Sequence, residues 1–179
     1  MASETFVSAM MLITAVVASA ILITAVFPIV WNMVSTFSSA SHETDTRMRT
    51  DFKIVTTYAS HSGLPLPPPN DKGGVAKIWM KNIGTNRIGW AEVNQSDVFI
   101  GLVGDFGRAT CVGKEKDPTL LLNNGWTYSI PGDTNGLWET GETIEIDVAS
   151  SKFITSGQSV YFQFVLPNGV WRSSEFTTS

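Results

Sequence analysis

Glu142-Thr143-Ile144-Glu145-Ile146-Asp147-Val148 is the stretch whose pattern settles the class of fold. Ile144, Ile146 and Val148 take alternate positions, with Glu145 and Asp147 between them. A period of two puts the branched apolar side chains on one face of a strand and the carboxylates on the other, so one face is buried and one is wet. Moving toward the N-terminus, the runs Gly125–Ile130, Asp97–Val103, Val75–Met80 and Phe52–Tyr58 have strand length and strand composition. Toward the C-terminus, Val160–Val165 is apolar and aromatic without a charge, and a further strand carries Arg172 and Glu175.

Turn signals separate these runs. They are Asn82-Ile83-Gly84, Asn123-Asn124-Gly125, Pro131-Gly132-Asp133 and Pro167-Asn168-Gly169. The Asn-Gly of the last, set between apolar runs, marks a hairpin. Seven or eight short strands at such spacing predict an immunoglobulin-like antiparallel β-sandwich over residues 46–179. A Pro-rich stretch, His61–Asn70, reads as an extended surface connection or a contact loop for a partner.

Further outward the pattern changes altogether. No charge lies between Glu4 and Glu43, and Phe6 to Val34 is dominated by Ala, Val, Ile, Leu, Met and Phe. A bilayer core needs about 20 apolar residues in a helix, so residues 1–45 are expected to form a transmembrane or assembly helix. The run is too long for the core of a cleaved signal peptide and lacks a basic start. Ser3 suits an N-cap, Glu4 suits the positive helix end, and Pro28 should kink the helix. Small residues four apart, as at Ala15/Ser19, allow close helix approach in lipid. Arg47, Arg49 and Lys53 follow the run and no Lys or Arg precedes it. By that count alone the C-terminal domain would face the cytoplasm.

The chain carries no sign of catalysis. His42 and His61 have no second His or Cys at ligand spacing, so neither metal nor other cofactor is expected. Cys111 reads as a small buried hydrophobe. Asp133, Glu139 and Glu142 flank a Gly-rich turn without the spacing of an EF-hand loop. A net charge of −4 excludes nucleic acid as the natural partner. Of six tryptophans, Trp31 falls at the outer end of the apolar run, where aromatic belts form. Trp138 and Trp171 adjoin turns and are candidate partner contacts; the others are core candidates. Asn94-Gln95-Ser96 is the one N-glycosylation sequon, making Asn94 a possible acceptor.

Several blocks resemble the archaellin superfamily of archaeal motility proteins. They are Lys77–Thr85, Ser96–Gly101, Trp138–Ile144 and Leu166–Val170, in that order after the apolar helix. The start, Met1-Ala2-Ser3-Glu4-Thr5, looks most like the archaellum protein G group. The resemblance implies a mainly β chain with one N-terminal helix and a pilin/archaellin-like architecture, anchored in the cytoplasmic membrane with the sandwich outside. It implies a non-enzymatic stator element that associates with itself, with an archaellum protein F-like partner and with the S-layer, and touches lipid through its helix. The candidate assembly residues of the helix are Glu4, whose role the resemblance suggests, together with Phe6, Ala15, Ser19 and Pro28. Two alternatives stand beside it: a filament-forming archaellin or type IV pilin-like subunit, and a membrane-anchored ligand-binding ectodomain. The C-terminal hairpin, Val160 to Phe176, is the expected contact region, with its second strand at the sheet edge and Trp171 as anchor.

Overall fold

The computed structural model describes residues 2–64, 73–114, 124–150 and 154–178. The chain divides into two compact units, Met1–Asp45 and Thr46–Ser179. Each is taken separately. The Pro-rich segment belongs to the described residues only as far as Leu64.

The first unit is the greater part of helix α1, Ala2–Arg49, whose last turn belongs to the second unit. The absence of glycine and the run of Ala, Leu and Met favour helix. The helix is continuous through Pro28 despite the backbone bond that proline forfeits. Hydroxyls along it turn back onto their own backbone. Thr14 donates to the Met10 carbonyl, Ser19 to Ala15, Thr24 to Ala20 and Thr36 to Asn32, at 2.8–3.0 Å. In a nonpolar medium this removes the penalty of an unpaired hydroxyl. Large apolar side chains from Phe6 to Phe37 are exposed all around the helix. By length and composition α1 can cross a membrane. At 1.5 Å per residue it measures roughly 70 Å, more than twice the hydrocarbon thickness of a bilayer.

The second unit is built on one eight-stranded sheet. Its strands are β1 (Phe52–Leu64), β2 (Gly73–Asn82), β4 (Asp97–Leu102), β5 (Asp105–Lys114), β6 (Gly125–Ser129), β8 (Thr143–Ser150), β9 (Ser159–Val165) and β10 (Trp171–Thr177). The two-residue strands β3 (Ile88–Gly89) and β7 (Leu137–Trp138) pair separately, and a five-residue helix α2 (Trp90–Asn94) follows β3. The order is β1-β2-β8-β6-β5-β4-β9-β10. All neighbours are antiparallel except β5 and β6, which run parallel. The fold is therefore a long helix followed by a large, predominantly antiparallel sheet. The ladder passes from β1-β2-β8-β6 to β4-β9-β10 through β5 alone, which pairs with β4 over residues 105–109 and, in the one parallel pair, with β6 over residues 110–114.

Alternation along each strand supplies the core. Ile144, Ile146 and Val148 of β8 meet Met80, Ile78 and Ala76 of β2 in register, and all are buried. The sheet bends back on itself, so that Phe52 of β1 packs edge-on against Phe164 of β9, their ring centroids 5.5 Å apart. Trp126 of β6 also meets Phe164 edge-on. Aromatic pairs in such geometry contribute about 0.5–1.5 kcal/mol beyond their buried area. The bend brings the terminal strands β1 and β10 near each other without joining them in the ladder. A slot of about 290 Å³ lies between Lys53–Thr57 and Arg172–Ser174.

Candidate functional site

Two features of the second unit stand out, a collar around residues 46–51 and a contrast between the outer faces of the sheet. The collar begins with an ordinary problem: the last carbonyls of a helix have no partners within it. Here loop 83–87 supplies them. The Arg49 carbonyl accepts the N–H groups of Thr85 (2.9 Å) and Asn86 (3.1 Å), and the Asp51 carbonyl accepts those of Ile83 (3.0 Å) and Gly84 (2.8 Å). The buried Thr50 hydroxyl donates to the Thr46 carbonyl and accepts the side-chain amides of Asn86 and Asn168, each at 3.0 Å. Arg47 donates through Nε to the Asn168 carbonyl at 2.8 Å.

Asn82 ties the collar to the core. Its buried amide donates to the carbonyls of Asn86 and Trp138, both at 2.9 Å, and its Oδ1 accepts the Gly84 N–H at 3.0 Å. Thr140 closes the ring by donating to the Gly84 carbonyl at 2.7 Å. A Cβ at Gly84 would collide with the Arg49 carbonyl and the Asp51 nitrogen, so the close approach requires glycine.

The two outer faces differ in chemistry. On the half formed by β2, β8 and β6, the outward side chains are latched together. Lys77 Nζ lies 2.6 Å from Glu145 and 3.0 Å from Asp147, and Trp79 donates its Nε1–H to Glu145. The Glu145 bond raises the Lys77 ammonium above its ordinary value, partly opposed by desolvation. On the half formed by β5, β4, β9 and β10, register aligns outward residues in rows: Trp171–Val165–Asp97, then Ser173–Gln163–Phe99–Arg108, then Glu175–Tyr161–Gly101–Phe106. The rings of Phe106 and Tyr161 lie 4.7 Å apart, and Phe106 and Trp171 are 46% and 50% exposed. The charges in the first two rows, Asp97 and Arg108, pair with each other at 2.6 Å.

The residues singled out from sequence fall as follows. Glu4, Phe6, Ala15, Ser19 and Pro28 lie on exposed turns of α1, with Glu4 in the first. Trp171 opens the edge strand β10. Trp138 is corrected: it is fully buried, donates its Nε1–H to the Glu142 carbonyl and packs on Phe52, so it offers no surface contact. Asn94 ends α2 with its side chain exposed, and its Oδ1 accepts the Tyr128 hydroxyl at 2.7 Å. Burial pushes that hydroxyl up to about 12. Cys111 is partly buried, with its thiol toward the same Oδ1, and burial raises it.

The carboxylates near the Gly-rich turn are spread over separate tasks. Asp133 takes Lys114 and the N–H groups of Asn135 and Gly136, Glu139 pairs with Arg87, and Glu142 accepts the Glu139 N–H. Among the described residues no group of three His, Cys, Asp or Glu converges. Asn82 and Asn168 read only as turn formers in the sequence, and Asn86 gives no signal there, because their partners are distant along the chain. Phe99 and Tyr161 give no separate signal because each lies in a strand already rich in apolar residues, and Phe106 gives none because β5 lacks a strand pattern in the sequence.

Comparison with known proteins places this geometry. The sequence model of archaeal-type flagellin matches residues 2–176. An uncharacterised protein of Archaeoglobus fulgidus is 26% identical over 182 residues, covering 99% of each chain. Among solved structures, the archaeal flagellum of Methanospirillum hungatei covers 96% of this chain and 92% of its own, with a TM-score of 0.63 and 11% identity. The archaellum periplasmic stator protein FlaG of Sulfolobus acidocaldarius covers 71% of this chain and 99% of its own, with a TM-score of 0.50 and 20% identity. The structural likenesses are likenesses of fold, whereas the sequence match runs nearly end to end: the chain belongs to the archaeal-type flagellin family.

Proposed function

We propose that this protein is a membrane-anchored structural element of the archaellum, placed on the stator side and acting by assembly rather than catalysis. In this reading α1 crosses the cytoplasmic membrane once and the sheet domain stands outside. There it meets further copies, an archaellum protein F-like partner and the S-layer. The observation that carries the proposal is α1 itself, whose apolar residues are uncovered on every side in a chain of the archaeal-type flagellin family. Such a surface belongs in lipid or in a bundle of like helices. The likeness of the sheet domain to FlaG supports the stator side. A filament role has its own support, since the likeness to the Methanospirillum hungatei flagellum takes in the helix as well.

Detergent extraction of the full chain from archaeal membranes, followed by affinity capture, tests the proposal. Discrete complexes containing an F-like protein support the stator reading. Filaments visible by electron microscopy when detergent is withdrawn transfer the protein to the filament. Release of the full chain by salt washing alone overturns the membrane anchor.

A further inference from the structure

We infer that a basic hollow beside the collar binds the phosphate group of an anionic membrane lipid. The inference rests on the reading of α1 as a membrane anchor, and it adds a headgroup site to the sheet unit.

The hollow has a volume of about 610 Å³, with Arg47 and Thr50 on one side and Gly169 to Ser173 on the other. It lies wholly within the second unit. Small-ligand sites commonly measure about 300–1,000 Å³. Both guanidinium groups are held by the backbone: Arg47 donates through Nε to the Asn168 carbonyl and Arg172 through Nη1 to the Trp171 carbonyl, each at 2.8 Å. Arg172 also pairs with Asp51. Arg47 meets no carboxylate among the described residues, and its terminal N–H groups have no acceptor there. The Ser173 hydroxyl has no partner among them either. A guanidinium fork with a hydroxyl beside it suits phosphate oxygens. The half-exposed indole of Trp171 suits the boundary between headgroups and water.

The slot between β1 and β10 extends the charge. It shares Arg172 and Ser173 with the hollow and has Lys53 on its other wall. Lys53 stands opposite Lys81 in the β1–β2 register, and neither meets a carboxylate among the described residues. Like charges opposite each other on a sheet repel. Farther from the collar, Lys77, Arg108 and Lys114 each have a carboxylate. An anion from outside would offset the excess of cations in and beside the collar, although the whole chain has a net charge of −4.

Connectivity selects the source of that anion. Arg47 follows Ser41, the end of the uncharged run, by six helical residues, roughly 9 Å of rise. The headgroup layer reaches roughly 5–7 Å beyond the hydrocarbon on each side. Glu43 and Asp45, on the preceding turn, offset any general attraction to an anionic surface, so binding depends on the hollow itself.

Native mass spectrometry of the full chain in nonionic detergent tests the inference, with phosphatidylglycerol and phosphatidylcholine supplied in equal amounts. Phosphatidylglycerol should be retained in preference to phosphatidylcholine. Arg47→Gln should weaken that retention roughly tenfold, as the loss of a charge-assisted hydrogen bond implies, and Arg47→Lys should keep most of it. Lys77→Gln removes the same charge from a side chain that already has two carboxylates, and should leave the preference unchanged. Equal retention of the two lipids, or parent-like retention by Arg47→Gln, overturns the inference. Inorganic phosphate separates the two sources of the anion. Phosphatidylglycerol that stays bound in phosphate buffer supports the lipid site. Its displacement by phosphate, but not by chloride at the same ionic strength, makes a free anion the ligand and overturns the lipid assignment. Failure of the anchor reads differently: that chain stays in solution without detergent, whereas failure of the site leaves an anchored chain that retains both lipids alike.

Discussion

Asn82 shows how much one buried amide can organise. Its side chain serves two carbonyls and one N–H from three different residues. In Asn82→Ala the Asn86 and Trp138 carbonyls lose this donor, while the Gly84 N–H keeps its bond to the Asp51 carbonyl. A buried unsatisfied polar group costs about 1–3 kcal/mol, so the variant should lose about 3 kcal/mol, read as a lower urea midpoint. Asp133 offers a test with pH. The hydrogen bond from Lys114 is the main cause holding its carboxyl below the ordinary value of 3.8. A depressed carboxyl stabilises the fold above its unfolded value and loses that contribution as pH falls through its folded value. The melting temperature of Asp133→Asn should therefore lie below that of the parent at neutral pH, and the gap should close below about pH 4. A gap that persists at low pH would show that the Lys114 pair is not its source. At this scale the sequence was only partly legible. Trp138 beside a turn looked available to a partner, but the same turn folds it inward so that its indole N–H caps the Glu142 carbonyl.

Elements were read with more success where one period ran uninterrupted. The alternation of β8 and the charge-free run of α1 each announce themselves within a few residues. Val160–Val165 and the strand after it form a hairpin around Pro167-Asn168-Gly169, where Gly169 takes the positive φ of 80° that the turn demands. β9 lies inside the sheet and β10 at its edge, as their charge contents suggested. β5 escaped detection because its sequence, Asp-Phe-Gly-Arg-Ala-Thr-Cys-Val-Gly-Lys, has two glycines and no apolar alternation, and its pairing depends on distant strands. α2 is only five residues long, stabilised by Glu92 reaching back to the Gly89 N–H at 2.9 Å; such a turn has no periodic signature. The sheet unit contains its own aromatic core, so a fragment of residues 46–179 is expected to be soluble and to melt cooperatively. Circular dichroism against temperature checks this, and a sloping, featureless melt would mean that α1 is needed for the fold.

For the whole molecule, the family was legible because several strand–turn blocks stand in order behind one apolar helix. The partners were not, since a contact between chains leaves no spacing within one chain. Glu4 is the place to probe assembly. A carboxylate at the start of a helix with no further charge until Glu43 can meet a neighbour's terminal amine, the role the resemblance suggests. Glu4→Gln should impair assembly while leaving membrane insertion intact, as measured by co-capture of two differently tagged copies and by alkaline extraction of membranes. Unchanged co-capture would remove Glu4 from the mechanism.

The collar has a mechanical meaning. A protein that bears load between a membrane and an outer layer must pass tension along its own chain. Any pull entering the sheet unit at Thr46 reaches Thr50 and Asp51 before β1. At that point four backbone bonds from residues 83–86 and two asparagine amides grip the chain together. Without them the pull would fall on the first rung of β1 and β2, Phe52 opposite Asn82, and could open the ladder one rung after another. With them it is shared among bonds that must break at once. In the proposed anchored role the collar would act as a strain relief, like the sleeve where a cable enters its plug, keeping jerks on the anchor from unravelling the sheet.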